Sequence, residues 1–396
     1  MERELKEEII EELKKKELPS ELEIKDLIID KVIDRTRDMT LPIEYKNNLI
    51  RDLFNSICRY DILQILLENK DIDEIMVNGP EYIFYEKAGK IYRENRTFEN
   101  TDQLENIIQT IVGKMNKIVN QAKPIVDVRL DDGSRVNVVL KPIAIDGPVL
   151  TIRKFNKSFL KMEDLLIKDT INQEALEFLK LLVRSRYNIF ISGGTSSGKT
   201  TFLNLLAGFI PVDERLITIE DSAELSIRNI PNLIRLEGRQ LDNDNFDTHI
   251  DIRKLIKTAL RMRPDRIIVG EVRGHEAFDM LTAMNTGHEG SMSTGHANSA
   301  KDMLLRLLTM VLVGNDLRED VGVNLIKSGI DIVIQLQRQH DGRKLVGIYE
   351  ILKNESALVL NTLFERDKLG ALIRISELKN QEKLNIYENN QNFKKE

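Results

Sequence analysis

Apolar positions in residues 1–70 recur at helical spacing. Leu5, Ile9 and Leu13 fall every four residues and the other faces are charged, which predicts an amphipathic helix. Pro19-Ser20 ends it. The stretch LIRDLFNSICRYDILQILLEN, 49–69, predicts a more buried helical pair. The first helix reads as a solvated amphipathic arm, or alternatively as a docking arm for a partner. From residue 71 the period shortens to two. DEIMVNGPEYIFYEKAGKIY alternates apolar and polar residues around NGP and KAGK turns, the pattern of hairpins. LENIIQTIVGKMNKIV, 104–119, predicts a helix. VDVRLDDGSRVNVVL, 126–140, predicts two strands around Asp131-Asp132-Gly133-Ser134, and VLTIRKF, 149–155, another strand.

The Lys- and Asp-rich stretch 156–172 reads as a linker entering a helix, and as a candidate hinge. From about 173 the pattern alternates: EALEFLKLLVRSR is helical, NIFISGG is a strand, a helix follows, then the strand RLITIED. That order predicts a parallel sheet covered by helices. The polar end, NQEKLNIYENNQNFKKE, reads as a fraying tail. The expected organisation is a helical region 1–70, a small α+β domain 71–155, a linker 156–172 and an α/β domain 173–396.

Length and composition narrow this picture. A chain of 396 residues suggests two or three domains, and 41% hydrophobic with 31% charged residues fits a soluble protein. The single cysteine, Cys58, excludes an intramolecular disulfide and a multi-cysteine zinc site, and fits a reducing cytoplasm. The charged start MERELKEEII lacks the apolar core of a signal peptide, and no apolar run approaches the roughly 20 residues of a membrane helix. A net charge of −6 weighs against general nucleic-acid binding.

The most specific motif is NIFISGGTSSGKTTFLNLLAG, 188–208. Gly193, Gly198, Lys199 and Thr200 satisfy G-x-x-x-x-G-K-[ST], between an apolar strand and an apolar-periodic helix. Glycines let backbone N–H groups turn inward around phosphate oxygens, and the helix N-terminus adds its positive end. The cradle comprises Gly193, Gly194, Thr195, Ser196, Ser197, Gly198, Lys199, Thr200 and Thr201. Lys199 can reach β/γ-phosphates and the Thr200 hydroxyl can ligate Mg²⁺. Two later apolar runs close on acids, one on Glu220-Asp221 and one on Glu271. Strand ends in such sheets face the ligand, so these acids can hold Mg²⁺ or orient and deprotonate water. MNTGHEGSMSTGHAN, 284–298, carries two of the five histidines, eight apart. Metal ligation, base catalysis and ligand sensing are all open to them on spacing alone, although no third ligand stands at convincing spacing for a metal.

Four motifs in order, SGGTSSGKTT, TIEDSAEL, LRMRPDRIIVGEVRG and AMNTGHEGSMSTGHAN, resemble the secretion-superfamily traffic ATPases of type II secretion, type IV secretion and type IV pili. The resemblance spans roughly residues 70–366 and reads most like the motors of tight-adherence (Flp-type) pilus assembly. Type II secretion motors usually carry a four-cysteine zinc module, which a chain with Cys58 alone cannot. The resemblance implies an α/β fold: a RecA-like P-loop NTPase domain preceded by a small α+β (PAS-like) domain and a helical N-terminal region. It implies His296 as γ-phosphate sensor and His288 as support for the loop or a subunit contact. Glu220 would activate water and Glu271 would support Mg²⁺ and the nucleophile, or the two roles are exchanged. Arg129, Arg135 and Arg153 would reach the nucleotide from the small domain, with salt bridges inside that domain as the alternative. Arg235, Arg261 and Arg273 are weaker candidates for the site or a ring interface. Ser196 stands where the family has glycine, which is expected to restrict the loop slightly. Gly295 stands where an apolar residue is usual, which is expected to loosen the strand holding His296.

The implied protein is a cytoplasmic ATP- and Mg²⁺-dependent ring motor at the inner face of the cell membrane, expected as a homo-hexamer. Its partner would be an inner-membrane platform protein of a pilus or secretion system. A type IV secretion or conjugation motor is the nearest rival. A RecA-like nucleic-acid motor and a non-hydrolysing assembly scaffold are the rivals of other classes.

Overall fold

The computed structural model describes residues 1–16, 19–87, 89–155, 162–238, 250–313, 315 and 317–393. The chain divides into two compact units, Met1–Ser158 and Phe159–Glu396.

The first unit begins with helices α1 (Glu2–Leu13), α2 (Glu21–Arg35), α3 (Ile43–Cys58) and α4 (Ile62–Glu68). Strands β1 (Ile72–Asn78), β2 (Tyr82–Lys87) and β3 (Lys90–Arg93) follow, then α5 (Thr101–Lys114), β4 (Ile125–Arg129), β5 (Arg135–Val139) and β6 (Val149–Arg153). A Ser20/Glu23 capping box starts α2. The Leu5/Ile9 stripe of α1 does not face solvent. It is fully buried with Leu27, Ile28 and Val32 of α2 and Leu49 and Leu53 of α3, and Lys31 pairs with Glu12 at 2.8 Å. The expected solvated arm is therefore a docked helix: its stripe has a complementary stripe within the same chain. α4 instead joins the core of the sheet, where Ile62, Leu63 and Leu66 pack with α5. The sheet is antiparallel, in the order β3-β2-β1-β6-β5-β4. Helix α5 stops at Lys114, short of the expected 119, because Asn116 takes a left-handed φ of 55°. Ala88 of the expected KAGK turn lies outside the described residues.

The second unit contains α6 (Met162–Ile167), α7 (Gln173–Arg184), β7 (Ile189–Gly193), α8 (Lys199–Ala207), β8 (Leu216–Glu220) and β9 (Leu233–Glu237). It continues with α9 (Ile252–Ala259), β10 (Arg266–Val269), α10 (Glu276–Asn285), β11 (Met292–Gly295), α11 (Ala300–Leu312) and α12 (Glu319–Gly329). It closes with β12 (Ile332–Gln339), β13 (Gly342–Ile351), β14 (Leu360–Arg366), β15 (Leu372–Arg374) and α13 (Glu382–Phe393). The sheet order is β15-β14-β13-β12-β7-β11-β10-β8-β9. Strands β12, β7, β11, β10, β8 and β9 run parallel; β13, β14 and β15 extend the edge antiparallel. Every residue of β7, β8, β10 and β11 is buried, as a sheet covered on both faces requires. One face packs on α7 and α8, the other on α9 to α12. This is the RecA-like domain. Of the stretch expected as a linker, 156–161 lie outside the described residues, while Leu165 and Ile171 sit in the core of this unit. No helix among the described residues is long and apolar enough to cross a membrane.

The described part of the polar end, up to Phe393, is ordered as a helix, and 394–396 lie outside the described residues. That helix is α13, and Lys383 reaches buried Asp331 at 2.8 Å and the Arg186 carbonyl at 3.2 Å. Periodicity missed this because a buried partner for a lysine leaves no mark on local sequence.

The amino edge of the sheet is tied by polar groups. Asn188 accepts from the Gly290 and Ser291 amides at 2.8 and 3.1 Å, and its side chain donates to the Gly329 carbonyl at 2.8 Å. Fully buried Arg266 forks onto Glu214 at 2.5 and 3.0 Å and donates to the Val183 carbonyl at 2.7 Å. Gly290 makes room for that guanidinium: a Cβ there would lie 2.4 Å from Arg266 Nη1 and 3.1 Å from the Arg186 Cα, at a φ of +80°. Gly290→Ala is therefore expected to cost about 2–4 kcal/mol, read as a lower denaturant midpoint. An unchanged midpoint would mean that the pinned guanidinium moves aside freely.

Candidate functional site

Strand β7 ends at Gly193 and the chain turns through 194–198 into α8. Only glycine fits at 193, where a Cβ would meet Ser197 Oγ at 2.5 Å and the Leu336 carbonyl at 2.6 Å. Gly194 is open: a Cβ there would meet nothing within 4 Å. Gly198 takes a φ of 91° and Ser196 a φ of 58°. Serine thus occupies the left-handed region at the position where glycine was expected. Ser197 Oγ donates to the Gly194 carbonyl at 2.9 Å, and Thr200 and Thr201 open α8 behind Lys199. Lys199 is buried and folds back over the turn. Its ammonium donates to the Gly193 and Gly194 carbonyls at 3.1 and 2.9 Å and faces His296 Nδ1 at 3.3 Å.

Both acids and His296 close parallel strands at this same carboxyl edge. Glu220, the last residue of β8, is 4% exposed. Its Oε1 accepts from the Glu224 and Leu225 amides, both at 2.9 Å, while buried Oε2 has no hydrogen-bond partner. Burial raises its pKa above the ordinary carboxylate value, against the lowering effect of those amides and of Arg235. Gly270 allows this packing, since a Cβ there would lie 2.9 Å from Glu220 Cγ. The backbone around Glu271 is held on two sides: the Gly270 amide donates to the Ile219 carbonyl at 2.8 Å, and the Val272 amide to the Thr294 carbonyl at 2.9 Å. Glu271 Oε2 receives Arg273 Nε at 2.8 Å and Nη2 at 2.5 Å. Its Oε1 lies 2.5 Å from His296 Nε2, in contact but off the direction of a hydrogen bond.

His296 has its pKa lowered, first by burial and then by Lys199, Arg273 and Arg306, with Glu271 opposing. A pKa below the ordinary imidazole value favours the neutral ring at pH 7. An ammonium only donates, so Nδ1 accepts from Lys199 and the ring proton is assigned to Nε2, toward Glu271. Arg306 donates to the His296 carbonyl at 2.9 Å, and Gln335 to the Asn298 carbonyl at 3.2 Å, fixing the segment after β11. Gly295 does not loosen this strand. Its missing Cβ leaves room that Met303 and Phe190 fill, each about 3 Å from where a Cβ would stand.

Four motifs separated by up to a hundred residues thus meet at one sheet edge, in the order phosphate loop, histidine, acid, acid. The sequence profile of the family described as "Type II/IV secretion system protein" matches residues 59–346. The chain belongs to that family. An uncharacterized protein of Methanocaldococcus jannaschii is 38% identical over 261 residues, covering 64% of this chain and 36% of that protein, so the match spans about a third of that relative's length. PtlH, a type IV secretion system protein of Bordetella pertussis, is 32% identical over 318 residues, covering 72% of this chain and 91% of PtlH. The crystal structure of the pilus retraction motor PilT with bound ADP superposes with a TM-score of 0.51 at 17% identity, covering 85% of this chain and 88% of the PilT chain, a likeness of fold.

Within this secretion-system fold the two histidines part company. His288 precedes β11 at the amino edge, where its ring faces the Ala283 carbonyl at 3.2 Å and its own carbonyl accepts from Ser291. His296 follows β11 at the carboxyl edge. Among the described residues no three His, Cys, Asp or Glu side chains gather as a metal site. Of the weaker arginine candidates, Arg273 is in the site, Arg235 lies on β9 beside β8, and Arg261 lines a separate cavity of about 380 Å³ along α9 with Lys254 and Lys257. In the first unit Arg129, Arg135 and Arg153 stand directly opposite one another on β4, β5 and β6, one cross-strand row on the face away from the core. Sequence reading missed Arg306, Gln335 and Arg343, which brace the loops from elements far along the chain.

The raised pKa of Glu220 carries a stability signature. The folded chain holds this proton more tightly than the unfolded chain. The stabilisation from protonation is full below the ordinary value of 4.5 and is lost as pH rises through the folded pKa. Glu220→Gln, which keeps an acceptor for both amides, is expected to melt several degrees above the parent at about pH 7.5 and level with it near pH 4. Equal melting temperatures at both pH values would show that the carboxylate is solvated.

Proposed function

We propose that this chain is a Mg²⁺-dependent ATPase that works as a homo-oligomeric ring, a hexamer, at the cytoplasmic face of a membrane. Its cycle would drive a membrane platform of a pilus or type II-like secretion system. The observation that carries the reading is the contact chain Lys199–His296–Glu271 at the mouth of the phosphate loop. It ties the group that would bind the γ-phosphate to the groups that would sense and hydrolyse it.

The residues fit the nucleotide and its ion. Gly194 leaves the loop open, and the 194–201 turn with the start of α8 suits an anion. The Thr200 hydroxyl and Glu271 are oxygen donors of the kind that hold Mg²⁺ through one or two protein groups, phosphate oxygens and water. Bound there, the ion would neutralise charge between the β- and γ-phosphates. Lys199 would leave the Gly193 and Gly194 carbonyls for phosphate oxygens, freeing His296 Nδ1. Neutral His296 has a single N–H, so donation from Nδ1 to a γ-phosphate oxygen would require the proton assigned to Nε2 to move to Nδ1. Glu220, buried with its raised pKa and one uncommitted oxygen, would take a proton from the attacking water. The arginine row of the first unit supplies guanidiniums of the type that spread transition-state charge.

The likeness of the four motifs to tight-adherence motors supports the pilus version. The match to PtlH supports a second reading, a type IV secretion motor with the same chemistry and another platform. Phosphate release against protein concentration tests the common core. Lys199→Ala is expected to lower turnover at least a hundredfold. Turnover per chain that rises with concentration would mark catalysis completed between neighbours. Parent turnover no higher than that of Lys199→Ala, with a platform protein present, would overturn the ATPase reading.

A further inference from the structure

Ser196 departs from the glycine expected in this loop, and the structure places it where glycine is favoured, at a φ of 58°. A serine held left-handed costs conformational energy that glycine avoids, so something must hold the loop in this shape. The hairpin of β12 and β13 supplies it. Arg343, in β13 and 147 residues away, donates from Nε to the Ser196 carbonyl at 3.1 Å. Its stem covers Gly198, with Cδ 3.0 Å from where a Cβ would stand. The hairpin is itself anchored. Leu336 pairs with Gly193 at the root of the loop, and buried Lys344, the next residue, is tied to Asp169 at 3.0 Å and Asp341 at 3.3 Å.

We propose that Arg343 is a positioning residue for the phosphate loop: it latches Ser196 in the left-handed conformation and so fixes the amides of 194–198 for a nucleotide di- or triphosphate. The inference rests on the nucleotide reading above and names the group that sets the loop's shape. It explains how the chain tolerates serine here. The cost of the left-handed residue is offset by one hydrogen bond from a side chain carried on a paired strand, next to the twice-tied Lys344.

A double-mutant cycle tests it, with the fluorescent nucleotide mant-ADP as probe on the full chain. Arg343→Ala is expected to weaken binding about fivefold to tenfold and to raise the KM for ATP by a similar factor. Adding Ser196→Gly to that variant should restore binding to within about twofold, because glycine needs no latch. In parallel, amide hydrogen exchange of the loop should speed up in Arg343→Ala and slow again in the double variant. Unchanged binding in Arg343→Ala, or no restoration by glycine, would overturn the latch; the second result would point to direct contact between the guanidinium and phosphate. The exchange arm decides independently of nucleotide: if the parent bound none, the functional reading would fall, while unaltered loop exchange in Arg343→Ala would still be needed to reject the latch.

Discussion

The site depends on one constraint: β7, β11, β10 and β8 run parallel and end together. Their pairing places Gly193, His296, Glu271 and Glu220 along a single edge, although some eighty residues separate the first from the third. Across that edge runs a chain of charged and polar contacts, Lys199 to His296 to Glu271 to Arg273. An isolated buried ammonium would be costly. Here it has two carbonyls and an imidazole nitrogen, and each of these partners comes from a strand end or the turn that follows it. Register and electrostatics are therefore one requirement. A slip of one residue in β11 would turn His296 to the other face and leave the lysine without its ring partner.

Rigidity at the opposite edge makes this possible. Asn188, Asp331, Arg266 and Glu214 lock the amino ends of the same strands with short, buried bonds. Lys383 adds α13 to that lock. The carboxyl edge can then carry groups chosen for chemistry, including a carboxylate with an unpartnered buried oxygen. Stability is concentrated at one end of the sheet and reactive groups at the other. Two histidines eight residues apart mark the two ends, which is why one faces a helix carbonyl and the other a lysine.

Much of this was legible in the sequence because it is local. The phosphate loop, the acids closing apolar runs and the alternation of helix and strand all depend on neighbours within about ten residues. What was illegible depends on distant partners. The polar C-terminal stretch has no helical stripe, yet one lysine meets a buried aspartate and the segment becomes α13. The α1 stripe looked solvent-facing until α2 and α3 supplied its counterpart. Gly295 looked like a weakness, but Met303 from the following helix fills the space. Arg343 carries no motif of its own, and only the β12–β13 hairpin brings it to the loop.

The arginine row of the first unit follows the same logic from the side of cost. Like charges directly opposite on neighbouring strands are unfavourable by roughly 0.2–1 kcal/mol per pair. Arg129, Arg135 and Arg153 make two such pairs in succession, with Glu74 opposite Arg153 on the next strand. A sheet built for stability alone would alternate signs along that row or use threonine. The core face is ordinary: Val126, Val128, Val136, Val138, Leu150 and Ile152 all pack inward. The unusual chemistry is confined to the outer face and to one row. Burial does not require this row and like-charge pairing opposes it, so the row is a local cost that the rest of the first unit's packing carries.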